Sequence, residues 1–205
     1  MNDDLKNTYN KIAKDWFSDH NTDTWWVEGT DKLASLLPAG ASVLDIGCGA
    51  GHKSKYLAEK GLKVTGGDFS EEMIEIAKKE VPEVTFQVLD LYNLGGFAEK
   101  FDCVFAQAVL LHIPKKDVVG IFQNIVDLLN DNGLFYVAVK EIWPGKPDEE
   151  VLMENDYGYE YQRFFSYYTT EELGGYFAQV GLELVYKTIT TVGKTNWIQI
   201  IGKKR

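Results

Sequence analysis

The chain has 205 residues and a net charge of −10 at pH 7, with 31 Asp and Glu against 21 Lys and Arg. That length suits one domain, and an apolar content of 45% is enough for a sizeable core. The acidic balance argues against a nucleic-acid partner, because such binding draws its affinity from Lys and Arg facing phosphates.

The opening stretch, MNDDLKNTYNKIAKDW, lacks the basic start and apolar middle of a signal peptide. No apolar run reaches the roughly 18 residues of a membrane-spanning helix. A cytoplasmic location with no membrane partner is the expectation. Tyr9, Ala13, Trp16 and Phe17 recur at helical spacing, with Trp25 and Trp26 after them. Ala41 to Ile46 is a short apolar strand, followed by a helix over Lys53–Lys60 and a second strand over Leu62–Gly67. Ser70 is a good N-cap for a helix to Glu80, with Glu71 and Glu72 where the helix dipole favours them.

Val84–Leu89 and Phe101–Ala106 read as the third and fourth strands. An amphipathic helix over Lys115–Leu129 stops at Asn130-Asp131-Asn132-Gly133, and Leu134–Val139 is a fifth strand. Strands alternating with helices, and apolar along their length, predict an α/β fold with a parallel sheet covered on both faces. Glu141–Tyr168 is long, aromatic and without clear periodicity, which suggests a lid, a binding loop or unrecognised regular elements. A helix over Thr169–Val180, opened by Thr170, leads to strands Leu182–Thr190 and Asn196–Ile201. The turn at Val192-Gly193-Lys194 is too short for a crossover, so these two are antiparallel. Lys203-Lys204-Arg205 reads as a solubilising tail.

Cys48 and Cys103 form no CxxC pair and read as buried reduced thiols; His20, His52 and His112 are scattered, so no metal site is expected. The strongest chemical signal is Val43-Leu44-Asp45-Ile46-Gly47-Cys48-Gly49-Ala50-Gly51. A buried strand runs into glycines at alternate positions and then a helix. Glycines permit a sharp turn and close approach of a ligand, and the helix start offers free N–H groups. The dinucleotide pattern G-x-G-x-x-G fails, because His52 stands where its third glycine belongs. Asp68 ends the second strand, where an acidic side chain can accept bonds from ribose hydroxyls, and Asp90 ends the third, where one can accept from an adenine amino group.

These pieces, with GGDFSEEMIEIAKK, FDCVFAQAVLLHI and NGLFYVAV, resemble the class I S-adenosylmethionine-dependent methyltransferases of small-molecule type. The resemblance implies a Rossmann-like, mostly parallel seven-stranded sheet of order 3-2-1-4-5-7-6, its last strand antiparallel and helices on both faces. It implies S-adenosylmethionine as cofactor. Gly47, Gly49 and Gly51 would line its methionine part, Asp45 would support the loop, and Asp68 would hold the ribose. Phe69 and Met73 would pack near the adenine, Asp90 and the Leu91 amide would read its edge, and Gln107 and Ala108 would lie by the amino-acid portion. Residues 1–28 would form a helical lid, 29–140 the cofactor-binding core, 141–168 a substrate-side insert and 169–205 the closing helix and hairpin of a single domain.

The expected reaction is in-line transfer of a methyl group to a small-molecule acceptor. Tyr9, Trp16, His112, Tyr161 and Arg163 are candidates to touch the acceptor, and His112 and Glu141 are candidate bases. Position 106 onward reads Ala-Gln-Ala-Val, without the Asn/Asp-Pro-Pro-Tyr-type motif frequent among methyltransferases of nucleobase amines, which lowers a nucleobase acceptor. Two alternatives stay open: a non-catalytic S-adenosylmethionine-binding regulatory protein and an NAD-dependent oxidoreductase.

Overall fold

The computed structural model describes residues 3–20, 22–97 and 99–205. The order is α1 (Asp3–His20), α2 (Val27–Leu36), β1 (Ser42–Ile46), α3 (His52–Glu59), β2 (Lys63–Asp68), α4 (Glu71–Glu80), β3 (Thr85–Val88) and β4 (Phe101–Gln107). There follow a 3-10 turn (Leu110–His112), α5 (Lys115–Asp127), β5 (Leu129–Lys140), β6 (Glu149–Glu154), β7 (Tyr161–Ser166), α6 (Thr170–Gln179), β8 (Leu182–Val192) and β9 (Thr195–Lys204).

Seven strands form one sheet, β3-β2-β1-β4-β5-β9-β8. The first five pair in parallel, and β9 pairs antiparallel with both β5 and β8. Leaving out the separate β6–β7 hairpin, this is the order 3-2-1-4-5-7-6 that the resemblance implied.

Side-chain alternation decides how the sheet is covered. Leu44, Val104, Ala106, Phe135 and Val137 face α5 and α6, joining Ile121, Phe122 and Phe177 in one buried core. Val43, Cys103, Phe105, Tyr136 and Ala138 face the other way, against Leu33 of α2 and Leu57 of α3. Each fully buried Leu, Ile or Phe contributes about 1.5–3 kcal/mol relative to exposure, so both faces hold the central strands in register. In the parallel strands the buried polar side chains are Asp45, Asp68 and Gln107, all near the C-terminal ends of their strands.

Several local readings change. The 141–168 segment is not a loop: β6 and β7 pair antiparallel from Glu149↔Ser166 to Glu154↔Tyr161. The apolar residues of that hairpin are mixed among charged partners, which hid the strands from a periodicity test. α2 straddles the boundary drawn at residue 28, and Met1, Asn2 and Asn21 of the 1–28 segment lie outside the described residues. The Thr169 side chain, not that of Thr170, accepts from Glu172 N at 3.0 Å and caps α6. Ser70 caps α4, accepting from Met73 N at 3.2 Å. Lys204 is no loose tail: it ends β9, and its ammonium donates to Val126 O and Leu129 O at 2.8 and 2.9 Å. Asn132 adopts φ 63° within an irregular start of β5 that shifts the β4 register. Among the described residues no helix is long and apolar enough to cross a membrane.

Candidate functional site

At the C-terminal edge of β1, β2, β4 and β5 a cavity opens beneath α1. In a parallel sheet this edge is where diverging loops leave a crevice. The β1–α3 loop forms its floor. Gly47 N and Cys48 N donate to Gly67 O at 2.7 and 3.1 Å, tying the loop to the end of β2. Gly47 adopts φ +68°, and a Cβ there would lie 2.4 Å from Val109 Cγ2, so no side chain fits. Gly49 adopts φ +52° and faces Trp16, whose ring carbon would be 3.6 Å from an added Cβ.

Two buried carboxylates organise this floor. Asp68 accepts from Gly49 N and Ser70 N, both at 2.9 Å, so it joins the loop to the start of α4. Burial pushes its carboxyl up to about 6, against the backbone bonds that pull it down. Asp45 accepts from Ser54 Oγ at 2.5 Å and is pushed up to about 7 by burial. Lys53 lines the cavity beside them, 5.6 Å from the ring centres of both Trp16 and Trp26; burial lowers its ammonium while Asp45 and Asp23 raise it. Phe69 and Met73 also line it.

The opposite wall comes from distant parts of the chain. Gln107 ends β4 with both amide atoms buried and without a hydrogen-bond partner among the described residues. Such an amide costs roughly 1–3 kcal/mol unless something fills the space beside it. Ala108 follows at φ 55°, a left-handed conformation rare outside glycine that turns the chain sharply at the cavity edge. His112 sits one turn on. Its Nδ1 is 2.7 Å from Phe164 O, which can only accept, so Nδ1 carries the proton and Nε2 accepts from Tyr9 OH at 2.7 Å. Burial lowers the imidazole to about 3 and keeps it neutral. Arg163 of β7 donates to Tyr9 OH at 3.3 Å and grips Glu154 through two bonds of 2.6 Å.

α1 is held over the cavity from both sides. Asn10 Oδ1 accepts from Ser70 Oγ at 2.6 Å, and Lys6 pairs with Glu71 at the α4 end. On the hairpin side, Thr8 Oγ1 donates to Gln162 O at 3.1 Å and Lys11 Nζ to Glu160 O at 3.0 Å.

The structure thus brings Asp45, Gly47, Gly49, Asp68, Phe69, Met73, Gln107 and Ala108 to one cavity together with Tyr9, Trp16, His112 and Arg163. Five sequence candidates stand outside it. Gly51 caps α3 at φ +86° and turns toward Phe86, which an added Cβ would meet at 2.9 Å; its need for glycine comes from helix packing. The Asp90 carboxylate accepts from Tyr92 N at 3.0 Å and Leu91 is buried in the core. Tyr161 lies further out on β7, donating to Asp156 at 3.1 Å. Glu141 accepts from Asn196 Nδ2 at 2.8 Å, away from the cavity. Lys53, Lys140 and Trp197, none of them singled out from the sequence, line it, as does Cys48, which the sequence marked only as a buried thiol. Strand alternation could have found Lys140, which shares a face with Tyr136 and Ala138, whereas Glu141 does not. Among the described residues no group of three or more His, Cys, Asp or Glu could hold a metal ion.

Residues 43–133 match a family model described as a methyltransferase domain. A magnesium protoporphyrin IX methyltransferase of Synechocystis PCC 6803, solved with bound S-adenosylhomocysteine, superposes with a TM-score of 0.75 over 98% of each chain at 17% identity. The chain has the class I S-adenosylmethionine-dependent methyltransferase fold. A Burkholderia thailandensis 1,6-didemethyltoxoflavin-N1-methyltransferase, solved with bound 1,6-didemethyltoxoflavin and S-adenosylhomocysteine, gives a TM-score of 0.77 at 20% identity, covering 98% of this chain and 87% of that one. In sequence, a ubiquinone biosynthesis O-methyltransferase of Coxiella burnetii is 34% identical over 147 residues, 63% of this chain and 61% of that protein. The chain spans 48–61% of the length of such curated relatives.

Proposed function

We propose that this chain is an S-adenosylmethionine-dependent methyltransferase acting on a small-molecule acceptor. The observation that carries the reading is the loop Gly47–Gly49, pinned by the buried Asp68 and open to a cavity where the buried Gln107 amide lacks a partner among the described residues. A glycine floor that a Cβ would fill, a carboxylate with lone pairs to spare and an unsatisfied amide together suit a ligand with ribose hydroxyls and an amino-acid end.

In this reading Asp68 accepts from the ribose hydroxyls, Phe69 and Met73 flank the adenine, and Gln107 satisfies its amide on the amino-acid portion. In the same reading Lys53 offers its ammonium to the α-carboxylate, and Asp45 its carboxylate to the α-ammonium. S-adenosylmethionine, when bound, supplies a methyl group already activated on a sulfonium. The residues of the chain then have to align an acceptor behind that methyl and keep water out. Orientation of this kind supplies about 7–11 kcal/mol of barrier reduction. α1, clasped between α4 and the β6–β7 hairpin, is the cover, with Tyr9 and Trp16 on its inner face.

His112 is poorly suited as a general base, because its Nε2 already accepts from Tyr9 and burial holds its pKa far below neutrality. Its role is to latch α1 shut. Glu141, tied to Asn196 outside the cavity, has no part in proton transfer. The covered cavity and the small molecules that give the structural neighbours their names favour a small acceptor over a macromolecule.

Calorimetric titration with S-adenosylhomocysteine, with NADH in a parallel cell, tests the cofactor. Micromolar binding of the first and none of the second is the expected result. NADH binding alone would return the oxidoreductase alternative, and S-adenosylhomocysteine binding with no turnover across a broad acceptor panel would favour a regulatory binding protein.

A further inference from the structure

The cavity is electrostatically polarised. Asp45 and Asp68 lie at the β1–β2 end; Lys140 and Arg163 lie at the β5–β7 end. The cations differ in how far they are already neutralised. Arg163 is gripped by Glu154 through two bonds, and Lys53 stands in the field of Asp45 and Asp23. Lys140 has no ion pair of the Arg163 kind and, like Lys53, stands only in the field of carboxylates, here Glu154 and Glu150. Among the described residues no carboxylate reaches salt-bridge distance of its ammonium. Of the acidic groups that face it, Glu154 is held by Arg163, and Glu150 by Lys146 and Tyr167.

What surrounds Lys140 instead is aromatic. Its Nζ lies 4.3 Å from the Phe165 ring centre and 5.8 Å from that of Trp197. Trp25 stacks on Trp197 at 4.0 Å between centres. The backbone is fixed on both sides: Lys140 pairs with Trp197 across β9, and Tyr168 N donates to Lys140 O at 3.1 Å. A half-buried ammonium held in place over aromatic faces, with no counter-charge in contact, is a prepared anion site. Burial, with the charges of Arg163 and Lys146 nearby, lowers its ammonium to about 8.

We propose that Lys140, with the Trp25–Trp197 pair and Phe165, forms the acceptor-binding end of the cavity and selects a small planar aromatic acceptor that carries an anionic oxygen. The proposal rests on the methyltransferase reading above. It commits to the oxygen anion and the flat ring: the lysine recognises the former, the aromatic walls the latter. A carboxylate on the ring and an ionised phenol are the two chemical sources of such an oxygen.

The test uses the full chain saturated with S-adenosylhomocysteine and two matched pairs of probes. One pair is para-hydroxybenzoate against para-hydroxybenzamide; the other is para-nitrophenolate against para-nitroanisole. The charged member of at least one pair should bind about tenfold or more tighter, the scale of a charge-assisted contact. A preference in the first pair alone identifies a carboxylate, and in the second alone a phenolate. The preference should shrink to within about twofold in Lys140→Met and persist in Lys140→Arg, while S-adenosylhomocysteine affinity stays the same in all three proteins. No preference in the unmodified protein, including no binding of any probe, overturns the proposal. So does a preference that survives Lys140→Met, or a loss of S-adenosylhomocysteine affinity in that variant, which would put Lys140 on the cofactor. If S-adenosylhomocysteine fails to bind the unmodified protein, the methyltransferase reading falls first and the acceptor site with it.

Discussion

The two walls of the cavity are built in different ways. The carboxylate wall comes from one continuous stretch, β1 to the start of α4, and its parts are joined through backbone N–H donors: Gly47 and Cys48 to the Gly67 carbonyl, Gly49 and Ser70 to the Asp68 carboxylate. The cationic wall gathers Tyr9, His112, Lys140, Arg163 and Trp197 from five separate elements, and side chains make most of its connections. Construction through the backbone makes the first wall rigid and intolerant of change. Side-chain construction lets the second be altered residue by residue while the fold stays, as expected where specificity varies on a common scaffold.

The largest effect should come from breaking the rigid wall. Gly47→Ala places a Cβ 2.4 Å from Val109 Cγ2 at φ +68°; overpacking and left-handed strain together should cost roughly 2–5 kcal/mol of stability. Gly49→Ala at φ +52° meets only ordinary contact with Trp16 and should lose about 1–2 kcal/mol. Thermal melts compare them; because Val109 Cβ would itself lie 2.5 Å from the added Cβ, Val109→Gly in the Gly47→Ala background should relieve the overlap but not the strain. Equal losses for the two alanines would show that φ, and not Val109, makes Gly47 a glycine.

Next in size is Asp68→Ala, which should weaken S-adenosylhomocysteine binding by roughly 1.5–3 kcal/mol, measured by titration. A folded variant with unchanged affinity would remove the ribose role. The same carboxylate sets a pH dependence. Its native pKa of about 6 lies above the ordinary 3.8, so its contribution to folding is present below about pH 4 and lost as pH rises through about 6. Cofactor binding should run the other way, since the ionised form is the better acceptor of hydroxyl bonds. Affinity should fall as pH drops below about 6, and Asp68→Asn should flatten that limb. A pH-independent affinity in the unmodified protein would contradict this.

The same contrast explains what is legible in the sequence. The glycine loop and Asp68 are local, and their spacing within strand–loop–helix units carries their meaning; Asp45, Phe69 and Met73 take theirs from the family resemblance. The α/β class is likewise legible, because apolar strands alternate with amphipathic helices and one short turn forces β8 and β9 antiparallel; the order of the strands comes from the family resemblance. The cationic wall is only half visible. Tyr9, His112 and Arg163 stand out as isolated residues, but their hydrogen-bonded chain depends on β6–β7, whose charged strands give no apolar period. Lys140 is hidden behind its neighbour Glu141 because the apolar run of β5 stops at Val139, and continuing the strand's alternation by one residue reverses the choice. Gly51 and Asp90 match the family pattern, and in the structure the first packs α3 against Phe86 while the second accepts from a backbone N–H two residues on.

The smallest expected effect sharpens the comparison most. Tyr9→Phe keeps the ring against Phe69, 5.8 Å between centres, but removes the hydroxyl that links Arg163 to His112 Nε2. A buried imidazole nitrogen left without its donor should cost about 1 kcal/mol of stability. If that bond only stabilises the fold, the melt shifts and the bound ligand is indifferent. If it latches α1 over the cavity, S-adenosylhomocysteine should also dissociate about fivefold faster, the rate equivalent of that energy, with little change in association. Stopped-flow displacement separates the two. An unchanged dissociation rate beside a lowered melt would leave α1 as a fixed part of the wall. A faster one would make the side-chain wall the part of the molecule that opens.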